Sequence, residues 1–177
     1  DNGMYLYVDG ARLGSALTCN PNDLTIQEIA QTVDAFYIGA TKNGALFGEA
    51  LVITNPELKT DFRFYMKQRV GMLAKGRLLG VQFQALFRNG LYYRLADHAN
   101  KMASILRDGL KGAGYDFLVD SPTNQIFPIL PNPLIEQLEK RYFFYTWEPY
   151  DDKRSVVRLV TSWGTTEEDV MSFLKDL

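Results

Sequence analysis

The fold is first indicated by the stretch MYLYVDGAR, residues 4–12. Its first five residues are apolar or aromatic at every position, a pattern typical of a strand that is buried on both faces of a sheet. Asp9 and Gly10 follow at once and predict a loop at the carboxyl end of this strand. Because a buried strand is an unusual place for a protein to begin, we expect a further segment to precede Asp1.

Helices and strands alternate in the residues that follow. The predicted elements, in chain order, are a helix at 23–30, strands at 33–38 and 50–53, and helices at 55–70 and 73–88. Asp23 or Thr25 is the expected cap of the first helix, and Asn55 is the expected cap of the second. This order is typical of an α/β layer that contains several parallel strands.

The pattern changes after residue 90. The elements predicted there are helices at 91–111, 133–140 and 165–177 and strands at 117–119, 125–130, 143–147 and 156–161. They predict helices packed on one side of a small, largely antiparallel sheet, and a domain boundary near residues 87–90. Thr165 is the expected cap of the last helix, and the aromatic run at 142–147 is expected to lie in the core.

The composition is that of a globular protein and excludes several classes of protein. Of the 177 residues, 46% are hydrophobic and 23% are charged, which excludes a disordered chain. The net charge of −2 argues against a broad nucleic-acid-binding surface, and no apolar run is long enough for a membrane span. Cys19 is the only cysteine, which excludes a disulfide framework and a cysteine-rich zinc site and suits a reducing cytosol.

Asp9 and Lys42 are the first candidates for chemistry, because both follow predicted strands, where open α/β sheets bind ligands. Asp9 is either the cap of a loop or helix, or an anion that faces a cationic nitrogen of a ligand. Lys42, like most lysines, is either a solvated surface residue or a nucleophile. The glycine and alanine residues around it allow close approach, and an amine in a partly desolvated pocket becomes nucleophilic.

Arg12 and Arg158 are candidates for binding an anion. Arg158 lies within the apolar strand predicted at 156–161, and a buried arginine needs an anionic partner. That partner is either a carboxylate of the protein, in a structural ion pair, or the carboxylate of a ligand. The residues alone leave both interpretations open.

Taken together, these residues resemble the low-specificity L-threonine aldolase family, which overlaps with the β-eliminating lyases. The resemblance extends along nearly the whole chain and is most specific at residues 7–12, the segment YVDGAR. Residues 41–45 resemble the lysine motif of the family but depart from it after Lys42, and residues 123–125 resemble the start of a family strand. Arg77 falls where the family has an arginine, although the flanking residues differ.

The resemblance implies the aspartate-aminotransferase fold, an α/β fold that binds pyridoxal 5′-phosphate (PLP). Residues 1–88 would be part of the large PLP-binding domain, without its N-terminal half. Residues 89–177 would be the small C-terminal α+β domain.

The same resemblance implies a role for each candidate residue. Lys42 would bind the cofactor covalently, and Asp9 would pair with the nitrogen of its ring. Arg12, beside the cofactor, and Arg158 would hold the α-carboxylate of the substrate. Arg77, with Arg69, would reach the cofactor phosphate of a neighbouring subunit.

The implied function of the complete protein is that of a PLP-dependent carbon–carbon lyase. It would cleave a β-hydroxy-α-amino acid such as threonine to glycine and an aldehyde, and this chain would be an inactive C-terminal fragment. We expect a cytoplasmic homo-oligomer, a dimer or tetramer with the active site near a subunit interface, that uses no metal, nucleic acid or membrane. The alternatives are β-elimination of the tryptophanase or cysteine-lyase type, and a folded fragment without catalytic activity.

Overall fold

The computed structural model describes residues 3–177, and Asp1 and Asn2, which open the first predicted domain, lie outside the described residues. Helices make up 45% of the chain and strands 18%, which confirms the predicted α/β class. The strands are β1 (Tyr7–Val8), β2 (Ala35–Gly39), β3 (Glu49–Ile53), β4 (Gln125–Ile126), β5 (Ile129–Pro131), β6 (Tyr145–Pro149) and β7 (Arg154–Val160). The α-helices are α1 (Leu13–Thr18), α2 (Ile26–Thr32), α3 (Phe62–Gln68), α4 (Arg77–Phe87), α5 (Leu91–Gly112), α6 (Asn132–Leu138) and α7 (Glu167–Lys175).

The chain divides into two compact units. The first contains residues 1–17 and 22–94, and the second contains residues 18–21 and 95–177. The division falls within α5, after Arg94. The domain boundary drawn from the sequence, between residues 88 and 89, stays a prediction.

The first unit contains a three-stranded sheet in the order β1-β2-β3. β1 and β2 are parallel, and α1 and α2 lie in the connection between them. β3 is antiparallel to β2, so the expectation of several parallel strands is wrong for β3. Residues 40–48, which connect β2 to β3, are too few for the crossover of a dozen or more residues that a parallel pair needs.

The apolar stretch at 4–8 is more exposed than its sequence predicts. Only Tyr7 and Val8 form a strand, and Met4, Tyr5 and Leu6 are 79%, 57% and 50% exposed. Within the described residues, β1 is the edge of its sheet because β2 is its one hydrogen-bonded neighbour. The predicted burial on both faces is therefore wrong for residues 3–177 taken alone.

Side-chain caps explain where α2 and the 3₁₀ turn at Pro56–Lys59 begin. Thr25, not Asp23, caps α2, and it forms a capping box with Glu28. Asn55 accepts a hydrogen bond from the next turn as predicted, but the helix expected at 55–70 is interrupted at Asp61, whose φ is 55°. It becomes a 3₁₀ turn followed by α3. α1 is absent from the sequence-based prediction, and α4 begins at residue 77 instead of 73.

The second unit contains an antiparallel sheet in which β7 pairs with β4, β5 and β6. Helices α5, α6 and α7 pack on it as the sequence predicts. The residues of this core are Met102, Ala103, Leu106, Leu110, Ile126, Leu130, Ile135, Leu138, Val157, Leu159, Val170 and Phe173. The strand predicted at 117–119 is reduced to one bridge, between Phe117 and Pro128.

The last helix begins later than predicted, because a neighbouring threonine provides the cap. Thr166 forms a capping box with Asp169, whose N–H donates to the Thr166 hydroxyl at 3.1 Å. The hydroxyl of Thr165 instead accepts a hydrogen bond from the N–H of Ser162 at 2.9 Å. Because each of the two adjacent threonines has an acidic residue three positions on, the local pattern does not distinguish the two caps.

The aromatic run at 142–147 lies only partly in the core, contrary to expectation. Tyr142 and Phe144 pack against the core of the second unit. Phe143, Tyr145 and Trp147 are 90%, 55% and 51% exposed. Because side chains alternate along an extended chain, the run divides its rings between the core and the opposite face of the sheet.

In the first unit, the backbone of the loop after β1 contacts the end of β2 at two glycine residues. The N–H of Gly39 donates to the carbonyl oxygen of Gly10 at 2.9 Å. A Cβ on Gly10 would overlap the carbonyl group of Tyr37, and a Cβ on Gly39 would crowd the backbone of Ala11. Only glycine fits at these two positions, because backbone meets backbone there.

We expect Gly10→Ala to destabilise the protein by about 3 kcal/mol or more, since the added methyl group has no flexible neighbour to displace. Gly80→Ala is the matched control. Gly80 lies within α4, and a methyl group added there would have no heavy atom within 4 Å, so we expect a gain of roughly 0.5–1 kcal/mol. Urea unfolding midpoints measure both, and equal midpoints for the two variants would contradict the contact at Gly10.

Candidate functional site

The candidate site lies at the carboxyl ends of the parallel strands β1 and β2, in the first unit. Asp9 follows β1, and Lys42 lies in the loop after β2. Because parallel neighbours end at the same edge of a sheet, the two residues share that edge. Arg12 stands just before α1 in the loop after β1, so the structure brings Asp9, Arg12 and Lys42 to one edge.

Two donors hold the exposed carboxylate of Asp9. Its Oδ1 accepts hydrogen bonds from the Tyr37 hydroxyl and, at 3.0 Å, from the N–H of Ala11. The Tyr37 hydrogen bond is the main reason that the pKa of Asp9 lies below its ordinary value, and the charge of Lys42 contributes in the same direction. Asp9 is therefore ionised at neutral pH, and the bond to Ala11 shows that it also caps its own loop.

Tyr37 is a site residue that the sequence analysis does not single out. The hydrogen bond to Asp9 is the main cause that raises the pKa of Tyr37 to about 12, so the hydroxyl stays a donor. A signal was present in the sequence. On β2, Phe36 and Ile38 are buried, and strand alternation places the hydroxyl-bearing side chain between them on the opposite face.

We expect Tyr37→Phe to raise the pKa of Asp9 toward its ordinary value, because the substitution removes the largest cause of the depression. A depressed carboxyl pKa stabilises the folded state above the ordinary pKa, and that contribution is lost as the pH falls through the folded-state pKa. The variant should thus lack this contribution at neutral pH, and it should lose less stability than the parent as the pH falls from the ordinary pKa through the folded-state pKa of Asp9. Carboxyl ¹³C NMR titration measures the pKa. An unchanged Asp9 titration would show that the hydroxyl does not act on this carboxylate.

Lys42 lies in a 3₁₀ turn, Thr41–Asn43, which ends at Gly44 with a φ of 98°. The side-chain amide of the buried Asn43 fixes this turn by donating to the carbonyl oxygen of Tyr92 at 2.8 Å. The side chain of Lys42 itself is exposed. Residues 3–177 do not form the partly desolvated pocket expected around Lys42, because the small residues that permit close approach also provide no cover.

Tyr92 anchors both loops of the site from the first turn of α5. Its fully buried hydroxyl donates to the carbonyl oxygen of Gly39 and accepts from the N–H of Gly14, each at 3.0 Å. Burial raises the pKa of Tyr92 to about 12. The hydroxyl therefore keeps its proton and maintains both hydrogen bonds across the physiological pH range.

Glu49, the first residue of β3, adds a second carboxylate to this edge. Desolvation raises its pKa and the charge of Asp9 adds to that effect, whereas the charge of Lys42 lowers it. The edge thus holds an amine and two carboxylates that act on one another through their charges. Glu49 carries no distinguishing sequence signal, since an exposed glutamate at a strand end is common.

The remaining predicted residues lie on other elements of the chain. Arg69 and Arg77 are both exposed, at the end of α3 and the start of α4. Arg158 lies on β7 of the second unit, half-buried, with its guanidinium carbon 5.0 Å from the ring centre of Tyr145. No carboxylate among residues 3–177 forms an ion pair with Arg158, so the structural ion pair considered for it is not formed within the described chain.

Two further features, a metal-binding cluster and a membrane-spanning helix, are absent from the described part of the chain. Residues 3–177 contain no cluster of three or more histidine, cysteine, aspartate or glutamate side chains arranged to hold a metal ion. No helix in the same range combines the length and apolar character needed to cross a membrane.

Comparisons of sequence and of structure identify the same kind of relative for this chain. No family model matches the chain. The low-specificity L-threonine aldolase of Pseudomonas aeruginosa is 32% identical over 99% of this chain, which corresponds to 50% of that protein. The solved threonine aldolase structure from Leishmania major is 48% identical, with a TM-score of 0.95 over 98% of this chain and 51% of its own. The chain is thus similar to the C-terminal half of threonine aldolases.

The chain spans about half the length of the relatives it matches, and the matching half is the C-terminal one. A serine palmitoyltransferase from Sphingomonas wittichii shares the fold at 18% identity, with a TM-score of 0.67 over 98% of this chain and 46% of its own. The resemblance to low-specificity L-threonine aldolases and the fold inferred from the sequence are confirmed. PLP dependence is implied by the family.

Proposed function

We propose that the complete protein is a PLP-dependent carbon–carbon lyase of the threonine aldolase type, which cleaves a β-hydroxy-α-amino acid to glycine and an aldehyde. The observation that carries this proposal is the position of Lys42 and the hydrogen-bonded carboxylate of Asp9 at one sheet edge. A lysine amine and an aspartate that faces the ring nitrogen are two groups with which proteins hold a pyridoxal cofactor and tune its chemistry. Similarity to threonine aldolases along the whole chain supports the same assignment.

The side chains at this sheet edge have the functional groups that bind PLP. Lys42 supplies an exposed primary amine that would hold the cofactor covalently. Asp9 would pair with the ring nitrogen, and the Tyr37 hydrogen bond favours the ionised form that this pairing needs. When bound, PLP supplies an electron sink for the breaking of a bond at the substrate Cα.

The chain's own residues would then have distinct tasks. Asp9 holds a proton on the ring nitrogen, and Tyr37 fixes the orientation of the Asp9 carboxylate. Arg12 and Arg158 hold the α-carboxylate of the amino acid and thereby orient the bond between Cα and Cβ. Arg77, with Arg69, binds the cofactor phosphate of a neighbouring subunit.

The proposed enzyme is a cytoplasmic homo-oligomer, a dimer or tetramer with its active site near a subunit interface. Exposed apolar side chains in the first unit support association: Phe64, Val70 and Leu78 are 75%, 82% and 66% exposed. A single thiol, Cys19, suits the cytoplasm. Residues 1–88 would belong to the large PLP-binding domain and 89–177 to the small domain. The isolated 177-residue chain, with the side chain of Lys42 exposed, would be inactive.

The test is to load the complete protein with PLP, add L-threonine and identify the products. The proposal requires equal amounts of acetaldehyde and glycine. β-Elimination would instead give 2-oxobutyrate and ammonia, which would overturn the assignment in favour of the eliminating lyases. Borohydride treatment of the loaded protein without substrate provides an independent check, because it should leave a pyridoxyl group on the chain.

A further inference from the structure

An aromatic cluster surrounds Arg158 on the face of the second sheet that points away from the core. Val157 and Leu159 lie in the core of the second unit, so strand alternation places Arg158 on the opposite face. Tyr145 is directly opposite Arg158 in the β6-β7 pairing and shares that face. The guanidinium carbon lies 5.0 Å from the ring centre of Tyr145 and 5.3 Å from that of Trp147.

An irregularity in β6 brings the second ring to Arg158. The β6-β7 register shifts between Thr146, opposite Val157, and Glu148, opposite Val156, so Trp147 is the extra residue of a β-bulge. A bulge bends its strand and redirects the side chain at that point. Trp147 is also packed edge-on against Phe127, with ring centres 5.5 Å apart, and this contact helps to fix the position of its ring.

The rings interact with the guanidinium group without using its hydrogen-bond donors. An aromatic ring attracts the positive charge through its face, whereas a carboxylate binds the N–H groups at the guanidinium edge. Arg158 Nε is buried, yet it has no hydrogen-bond partner among the described residues. No other side chain of residues 3–177 forms an ion pair with this arginine. The rings thus stabilise the charge, and no carboxylate of the described residues occupies the guanidinium group.

We infer that Tyr145 and Trp147 are positioning residues, which hold the Arg158 guanidinium so that its N–H groups receive the carboxylate of the amino-acid substrate. This inference rests on the proposed function of Arg158 and extends it to two residues that do not touch the substrate. The bulge in β6 is part of the arrangement, because it supplies the second ring. The ligand that this site takes is a carboxylate, for which a planar, fixed guanidinium offers two parallel donors.

The first measurement is the mobility of the Arg158 side chain, read from ¹⁵N relaxation of its Nε–H group in the labelled chain. Arg158→Lys identifies the signal by its disappearance. We expect an order parameter near the roughly 0.85 of rigid backbone in the parent chain and below about 0.6 in Trp147→Leu. Trp147→Phe, which keeps a ring, should restore the rigid value, and Trp163→Leu, a second exposed tryptophan in the same unit, should leave it unchanged.

The second measurement is the kinetics of the PLP-loaded complete protein with threonine. Trp147→Leu should raise KM by roughly 5- to 30-fold, the range expected for loss of a cation–π contact, while kcat changes much less. Tyr145→Leu repeats the experiment from the other ring and keeps the test valid if Trp147→Leu does not fold. A mobile Arg158 with an unchanged KM, or an unchanged order parameter in both leucine variants, would overturn the inference.

The Arg158→Lys variant tests the proposed function of Arg158 separately from the positioning role of the two rings. If Arg158→Lys leaves KM unchanged, Arg158 does not bind the substrate, and the proposed function of that residue fails. If Arg158→Lys raises KM but neither leucine variant does, the role of Arg158 stands and only the positioning role of the rings is wrong.

Discussion

Replacing Lys42 by alanine should reduce threonine cleavage by the complete PLP-loaded protein at least about a thousandfold, as expected when a covalent catalytic group is removed. The exposed amine of Lys42, next to the fixed turn at Asn43, is the group that would join the cofactor. Borohydride reduction followed by peptide mapping should place the pyridoxyl group on Lys42 in the parent protein. The Lys42→Ala variant should carry no such label.

Lys75→Ala is the matched control for this experiment. Lys75 is an exposed lysine of the same unit, so its removal should change neither the label nor the rate. A label recovered on Lys75, or on any lysine other than 42, would remove Lys42 from the site.

Asp9→Asn should lower kcat roughly 100-fold or more while part of the PLP binding is retained. The asparagine keeps the shape of the side chain, and its oxygen still accepts a hydrogen bond from the N–H of Ala11. It lacks the negative charge that holds a proton on the cofactor ring. The measurement is kcat together with the PLP content of the purified variant.

Asp23→Asn, an exposed aspartate of the same unit, controls for a change of surface charge and should retain full activity. Near-parental kcat for Asp9→Asn would leave Asp9 with the loop-capping role that its hydrogen bond to Ala11 already shows. The electrostatic role would then be wrong.

Features that depend on local chemistry could be predicted from the sequence. α5 occupies Leu91–Gly112, within one residue of its predicted range, because its apolar residues recur with the helical period. Thr25 and Asn55 cap as predicted, since each side chain bonds within its own turn. Asp9 and Lys42 were found because both follow strands whose ends share an edge.

Features that depend on contacts between distant residues could not be predicted in this way. Tyr37 and Tyr92 act at the site through hydrogen bonds that span 28 and 53 residues of sequence. The exposure of residues 4–7 depends on which strands lie beside β1, and the local pattern carries no such information. The bulge at Trp147 likewise follows from how β6 pairs with β7.

Tyr92 also couples the local unfolding of the segments that form the candidate site. The buried hydroxyl of Tyr92 binds the loop at Gly39 and the first turn of α1 at Gly14. Its backbone carbonyl oxygen binds the lysine turn at Asn43. These three segments therefore form one cooperative unit of local unfolding, which opens when the start of α5 opens. Their amide protons should exchange with solvent at a common rate, so that slow fluctuations expose the lysine turn and the first turn of α1 together.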